Sequence, residues 1–557
     1  MQNKRPVDIA IIGGGAAGCL AAISAKDMRP DAEVVILEKS SIRRGGSLAC
    51  GMDAINVAVI PGISTVDDLV RAQMSAAQGI LDPSVVRAVG EESFQIIQEL
   101  KSWGVKFPHN NEGKFITFKQ WAARESSSAV TSISIEGDLK LILLQELEKR
   151  RIKIFEHSPV TSILTCDGQV AGLCALDLRS GNFIVIPAKT IILAAGSAAR
   201  FGLPETGILN AVFDCPACAG DSYSLAYRAG AYLINMECIK HYISIRYFNG
   251  PALAPLSHGG KLVNAMGKDL LAKGSLDTLE LNNFMDLFSI ILRENQEGRG
   301  PVYIDTRHLS PEVIAELERC FFTTERPTFK KFFEKKGIKL GRDLIEIGLS
   351  EAALCGGHGI NGVKINNRAE TNILGLYAAG DAAANATSLM GAFALGRIAG
   401  REAAIKSIDL GAGRLNPEII ANEKKRVFGP LERPEGIAPS FLERKLRLIV
   451  NNYVASPKSE GKLKTAQILQ RHLRKDINLL KAQDFHEAMK ALEVQTILDC
   501  AEMATAASLF RRESRWGIYH YRADYPQRND NEWKKFIIVK LGESGFPEVF
   551  TESIQGE

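Results

Sequence analysis

No run in the 557 residues approaches 18 uninterrupted apolar positions, so the sequence predicts no membrane-spanning helix. A strong charge of one sign is also missing. The formal net charge is +4, too small at this length to argue for nucleic acid or a membrane surface. Cysteine is sparse and scattered: ten are present, and only Cys215 and Cys218 form a C-x-x-C pair. Iron–sulfur clusters and structural zinc usually take four ligands at compact spacings. No second cysteine group lies near the pair, so no metal site is expected in this chain. The pair reads either as redox-active thiols or as two small buried residues in a loop. Residues Met1 to Pro6 are short and polar and lead at once into an apolar run, which does not match a secretory signal.

What is present begins at Val7. The apolar run Val7 to Ile12 enters Gly13-Gly14-Gly15-Ala16-Ala17-Gly18, an apolar helix pattern follows, and Val34-Val35-Ile36-Leu37 ends at Glu38-Lys39. The pattern is G-x-G-x-x-G with an acidic residue twenty positions after its last glycine. That spacing suits a dinucleotide, with its pyrophosphate on a helix N-terminus and a carboxylate on the adenosine ribose. Glycine-rich turns also occur wherever a helix packs tightly on a strand, but here strand, glycines, helix, second strand and Glu38 fall in register. A cytoplasmic redox protein is the expectation.

Hydrophobic content of 46% and charged content of 24% are ordinary for a globular chain, and the length exceeds one core, so two to four units are expected. Arg43 to Asn56 is rich in glycine and small residues, which lets backbone approach a ligand. Helical patterns cover Val66 to Gln78 and Pro83 to Trp103. Strand patterns cover Ile154 to His157, Val160 to Thr165, Val170 to Asp177 and Phe183 to Ile186. Thr190 to Ser197 reads as a buried strand returning to the first sheet. Gly375-Leu376-Tyr377-Ala378-Ala379-Gly380-Asp381 reads as another, before a small-residue helix from Gly391 to Gly400. The fold class is therefore α/β (α+β overall), with a discontinuous Rossmann-like domain. Its first part is 1–239 and its second part 353–412. An inserted domain spans 240–352, and 413–557 is mainly helical, with amphipathic stripes at Ile468 to Leu480 and Phe485 to Phe510. The basic runs Lys330-Lys331, Lys335-Lys336 and Lys534-Lys535 read as solvated faces or docking points for an acidic partner.

The opening motif, the small-residue segment after Glu38 and the Gly375–Asp381 strand together resemble the fumarate reductase/succinate dehydrogenase flavoprotein superfamily. So do Ser388-Leu389-Met390-Gly391, Arg511-Arg512-Glu513-Ser514-Arg515 and Asp524-Tyr525-Pro526. The resemblance implies FAD at the junction with a capping domain at 240–352. It implies that Gly13, Gly15 and Gly18, with Ala16 and Ala17, hold the pyrophosphate, and that Glu38 and Lys39 flank the adenosine ribose. Gly46, Ser47 and Gly51 would line the isoalloxazine, and Asp221 and Asp381 would lie on the ribityl or adenine side. Ala195, Gly196, Gly380, Ser388 and Leu389 complete the cofactor set. Arg43 to Gly51 contains no histidine, so the FAD is expected to be non-covalent.

Fumarate reductases carry an arginine after an Asn-x-x-Gly turn in the cap and a second that grips a carboxylate. Here Asn264-Ala265-Met266-Gly267 is followed by Lys268-Asp269-Leu270, and the helix expected to carry the second reads Met285-Asp286-Leu287-Phe288-Ser289. A dicarboxylate needs cationic clamps that these residues do not supply. The chain is most similar to the alpha subunit of dissimilatory adenylylsulfate reductase. That likeness rests on Asp53-Ala54-Ile55-Asn56, Tyr242 to Phe248, Gly298 to Asp305 and Leu354-Cys355-Gly356-Gly357-His358. It implies that Asn56, Arg246 and His358 surround the reactive face of the flavin, where a fixed cation and donors suit a small anionic substrate such as a sulfur oxyanion. With no second dinucleotide motif and no cluster-ligating cysteines, electrons are expected from a ferredoxin-like beta subunit holding [4Fe–4S] clusters, in a hetero-oligomer. A fumarate- or enoate-type oxidoreductase and a non-catalytic flavin electron carrier are the alternatives.

Overall fold

The computed structural model describes residues 5–50, 54–119, 131–136, 138–204, 214–248, 254–271, 284–322, 328–515 and 519–554. Its central sheet runs Lys153–Phe155, Val34–Leu37, Val7–Ile12, Phe183–Leu193, Gln169–Leu176, Val160–Cys166, with Leu376–Ala378 also paired to Phe183–Leu193. Val7–Ile12 is parallel to both neighbours. Ile12 stands opposite Leu37 on one side and Leu193 on the other, and Leu193 stands opposite Ala378. Four strands thus end at one level, and ligands of open α/β sheets bind beyond such carboxyl ends.

The sequence pattern suggests two strands between Phe183 and Ser197. The structure has one of eleven residues, Phe183–Leu193. Its first half pairs antiparallel with Gln169–Leu176 and its second half parallel with Val7–Ile12, so one strand belongs to both surroundings. That is why its apolar period shifts midway.

Two helices cross beneath the sheet, Ala16–Met28 and Ser388–Asp409. They approach backbone to backbone. A Cβ on Gly396 would lie 2.4 Å from the Ala17 carbonyl oxygen, and one on Gly400 would lie 2.2 Å from that of Ala21. The small-residue pattern of both helices therefore reflects closeness of packing. It also brings both helix N-termini to the same edge of the sheet.

The segment expected to be an inserted domain carries its own antiparallel sheet, in the order Ile243–Ile245, Ile345–Leu349, Val302–Asp305, Lys261–Val263. A separate apolar core, including Ile290, Ile291, Phe321, Phe329 and Phe333, fills it. Beyond residue 413 come the helices Pro417–Glu432, Pro439–Ile449, Glu460–Asp476 and Phe485–Phe510. The last is buried over most of its surface rather than along one stripe. A hairpin that the helical pattern does not suggest follows, Phe536–Leu541 with Pro547–Glu552. It joins Leu233–Ile234 and Gly362–Val363 in a four-stranded sheet. Among the described residues, no helix is long and apolar enough to cross a membrane.

Candidate active site at the carboxyl edge of the sheet

The three motif glycines have three different surroundings. Gly13 has φ +99°, and a Cβ there would lie 2.5 Å from the Ala194 carbonyl oxygen, so only glycine fits the turn. A Cβ on Gly18 would lie 1.9 Å from the Gly13 oxygen, so this glycine serves the packing of helix on strand. A Cβ on Gly15 would meet nothing within 4 Å, so the backbone there faces open space. The helix that starts at Ala16 has no side-chain cap and no acidic residue in its first turn. Its leading N–H groups, those of Ala16, Ala17 and Gly18 included, are left for an anion. The helix from Ser388, with Leu389 in its first turn, also has no side-chain cap and no acidic residue in that turn, though its Ser388 N–H is taken by the Gly357 carbonyl at 2.8 Å.

Glu38 is directed at this loop. Its Oε2 accepts the Gly14 N–H at 2.8 Å, and its Oε1 accepts the Ser40 N–H and hydroxyl, each at 2.9 Å. Buried Lys140, on the helix Leu139–Lys149, donates to the Gly14 carbonyl and pins the loop from the other side. An open glycine, two uncapped helix N-termini and an adjacent carboxylate fit a dinucleotide pyrophosphate and ribose. Ala195 and Gly196 follow the strand end at Leu193, and Gly46 stands against Gly15, with its Cβ position 3.3 Å from the Gly15 Cα. Ser47 opens a short helical turn, Ser47–Cys50, and Gly51 lies outside the described residues.

Lys39 and Asp221 have a further task. Lys39 Nζ lies 2.8 Å from Asp221 Oδ2 and 2.8 Å from Glu493 Oε1. Glu493 also pairs with Arg200 at 2.7 Å and Lys490 at 2.8 Å, and Arg200 pairs with Glu443. Burial works to raise the Glu493 carboxyl, but Lys39 and Arg200 outweigh it and hold that carboxyl well below the usual range. The network ties the cofactor edge to the helix Phe485–Phe510.

A second cluster lies where the segment after Leu354 meets the start of the inserted domain. Lys240 Nζ donates to the His358 carbonyl oxygen at 3.0 Å and lies 3.6 Å from the centre of the Tyr242 ring. Burial lowers its pKa to about 8, against the pull of Cys355, Asp214 and Asp381. The Tyr242 hydroxyl donates to Asp214 Oδ2 at 3.4 Å, and its ring meets the His358 ring edge to face at 6.0 Å. His358 Nε2 is 3.4 Å from Ser388 Oγ. Asp381 follows Gly380 at the end of the strand Leu376–Ala378. Its carboxylate presses on Gly357, where a Cβ would lie 1.9 Å from Oδ1, and its carbonyl accepts the Tyr223 hydroxyl at 2.6 Å. Burial, with Asp214 nearby, raises the Asp381 carboxyl.

The structure thus brings His358, Asp381 and Ser388 together with Lys240, Tyr242 and Asp214. Asn56 stands at a β-bulge in the strand Ala54–Ala58, beside Val57 at φ +63°, a break in the ladder that re-aims side chains. Arg246 pairs with Glu346: its Nε lies 3.5 Å from Glu346 Oε1, and its guanidinium is 5.5 Å from the Tyr247 ring centre. Lys240, Asp214 and Tyr242 escape the sequence reading as site residues. A lysine within the buried run Cys238 to Ile245 is the available signal. Among the described residues, no three His, Cys, Asp or Glu side chains gather as a metal site.

Sheet, glycine loop and the two uncapped helices define a flavin-dependent oxidoreductase. Residues 8–398 match the FAD binding domain family, and residues 443–555 match the fumarate reductase flavoprotein C-terminal family. The chain belongs to this FAD binding domain family, within the fumarate reductase/succinate dehydrogenase flavoproteins. It is 25% identical to a fumarate reductase (CoM/CoB) chain of Methanothermobacter marburgensis over 558 residues, 96% of each chain. Adenylylsulfate reductase of Archaeoglobus fulgidus superposes with a TM-score of 0.87 at 25% identity, covering 99% of this chain and 97% of that one. An adenosine-5-phosphosulfate reductase in covalent complex with sulfite matches with the same score, identity and coverage.

Proposed function

We propose that the chain is the FAD-bearing catalytic subunit of an enzyme that exchanges electrons between an iron–sulfur partner and a sulfur oxyanion. The observation that carries this reading is the buried ammonium of Lys240, held at 3.0 Å from the His358 carbonyl. One compact ammonium suits a small oxyanion. A dicarboxylate calls for paired guanidinium forks. The likeness to a sulfite-bound relative over 99% of the chain supports it.

When bound, FAD supplies the two-electron chemistry. Lys240 binds and orients the anion, with the Asn56 amide as a second donor. The His358 imidazole carries the proton through Nε2, steadied by Ser388 Oγ at 3.4 Å. Tyr242 covers Lys240 and keeps water from its ammonium. Arg246 is given no part in this set, because it faces Glu346. A ferredoxin-like subunit with [4Fe–4S] clusters is the proposed electron source.

A second reading, an enoate reductase of the fumarate type, is favoured by the equal 25% identity to the Methanothermobacter enzyme. Sulfite titration of the flavin spectrum separates the two. Bleaching at low sulfite, without reoxidation of reduced enzyme by fumarate, is the expected result. Fumarate turnover with a reduced dye, and no response to sulfite, overturns the sulfur reading.

A further inference from the structure

Cys215 and Cys218 take no part in the chemistry above, yet they form a built pair. The Cys218 N–H donates to the Cys215 carbonyl at 2.9 Å, closing a four-residue turn through Pro216 and Ala217. Such a turn brings its end Cα atoms within about 7 Å, close to the separation a disulfide spans. Both side chains are 7% exposed, whereas Pro216 at the tip of the turn is exposed. The two thiols pack with Ala199 in one small buried cluster. The neighbouring Cys218 thiol and the amides of Ala217 and Gly46 outweigh burial and hold the Cys215 thiol below its ordinary value. Cys218 is pushed well above its own by Cys215 and by burial. This asymmetry, one ready thiolate beside one held proton, is what a C-x-x-C pair uses to open and close a disulfide.

The position of the pair connects it to the cofactor. Gly46, whose amide acts on the Cys215 thiol, stands against Gly15 at the open floor of the groove. The Cβ position of Gly196, at the end of the central strand, is 3.2 Å from Cys218 Sγ. Asp214, the preceding residue, accepts the Tyr242 hydroxyl. The turn therefore lies between the cofactor groove and the Lys240–Tyr242–His358 cluster.

We propose that Cys215 and Cys218 are a second two-electron redox centre, which exchanges electrons with the bound FAD. In the oxidising direction both S–H bonds break, one S–S bond forms, and two electrons and two protons pass to the flavin. In the other direction the reduced flavin returns them and the S–S bond breaks. No further oxidant or reductant enters the step.

The test is anaerobic reductive titration of the air-oxidised holoenzyme, with alkylation of the Cys215–Cys218 peptide followed by mass spectrometry at each stage. The expected result is uptake of two more electrons per FAD in the wild type than in Cys218→Ser. The peptide should resist alkylation before reduction and take two alkyl groups after it. Equal uptake in wild type and Cys218→Ser, or two free thiols at every stage, overturns the proposal. So does a disulfide that persists once the flavin is fully reduced. The alkylation series uses only the wild-type protein, so the result stands even where the variant loses its FAD.

Discussion

The Lys240 ammonium stands 3.6 Å from the centre of the Tyr242 ring while donating to the His358 carbonyl. A ring face is a good neighbour for a cation that burial has stripped of water. It supports the charge from one face, while the Asp214 and Asp381 carboxyls pull on it from nearby.

Replacing Lys240 with Met should therefore remove the anion site and leave the sheet intact. We expect the KM for the anionic acceptor, or the Kd for sulfite, to rise at least tenfold, with FAD content unchanged. Because Lys240 titrates at about 8, sulfite affinity in the wild type should fall as pH rises through that value. A flat profile between pH 7 and about 9.5 would show that another group carries the charge.

The same lysine predicts a stability slope. Its folded pKa of about 8 lies below the ordinary value of 10.5. Below about 8 both states are protonated and the burial penalty is complete. Between about 8 and 10.5 the unfolded chain still binds the proton that the folded one has released, so stability rises with pH by up to about 3 kcal/mol. Urea unfolding of wild type and Lys240→Met across this window isolates the contribution. The variant should lack that part of the slope.

The glycine motif makes a paired prediction. Gly15 has φ −71° and open space at its Cβ position, so Gly15→Ala should leave the apoprotein within about 0.5 kcal/mol of wild type while lowering FAD occupancy, because the methyl group enters the groove. Gly18→Ala drives a methyl into the Gly13 carbonyl and should destabilise the fold itself by about 1–3 kcal/mol or more. Flavin absorbance per chain and urea midpoints, measured together, separate the two effects.

These glycines also show what the sequence made legible. Strand, turn, helix and acidic residue are local, and each is written in contiguous residues, so the edge from Gly13 to Glu38 can be read directly. The return of Thr190 to Leu193 and Leu376 to Ala378 to the same sheet is legible from their apolar runs ending in small residues. The Lys240 cluster is not. Its members lie at Asp214, Lys240, Tyr242, His358 and Asp381, and they meet only because distant strands end together. No periodicity records that meeting. The Lys39 network hides for a related reason: a residue flanking the ribose carboxylate looks like a cofactor ligand until Glu493, 454 positions on, takes its charge. The terminal hairpin is masked by its own burial, since the run Phe536 to Val539 lacks the alternation that marks a half-exposed strand.

A last prediction concerns how the C-terminal part is fixed to the rest. Arg511 and Glu237 are both fully buried and pair at 2.7 Å. Arg511 also binds Glu513 at 2.9 Å and donates to the Trp533 and Lys535 carbonyls. Arg515 pairs with Glu513 and Asp530 and donates to the Gln78 carbonyl, so the same patch reaches back to the first hundred residues. Arg511→Met would leave Glu237 and Glu513 charged, buried and short of a partner, a change that costs about 3–5 kcal/mol. The double variant Arg511→Met with Glu237→Gln removes one stranded carboxylate and should recover part of that loss, which a merely volumetric role for Arg511 does not predict. Urea midpoints of the two variants decide the matter: equal midpoints would show that the charge pairing contributes nothing measurable.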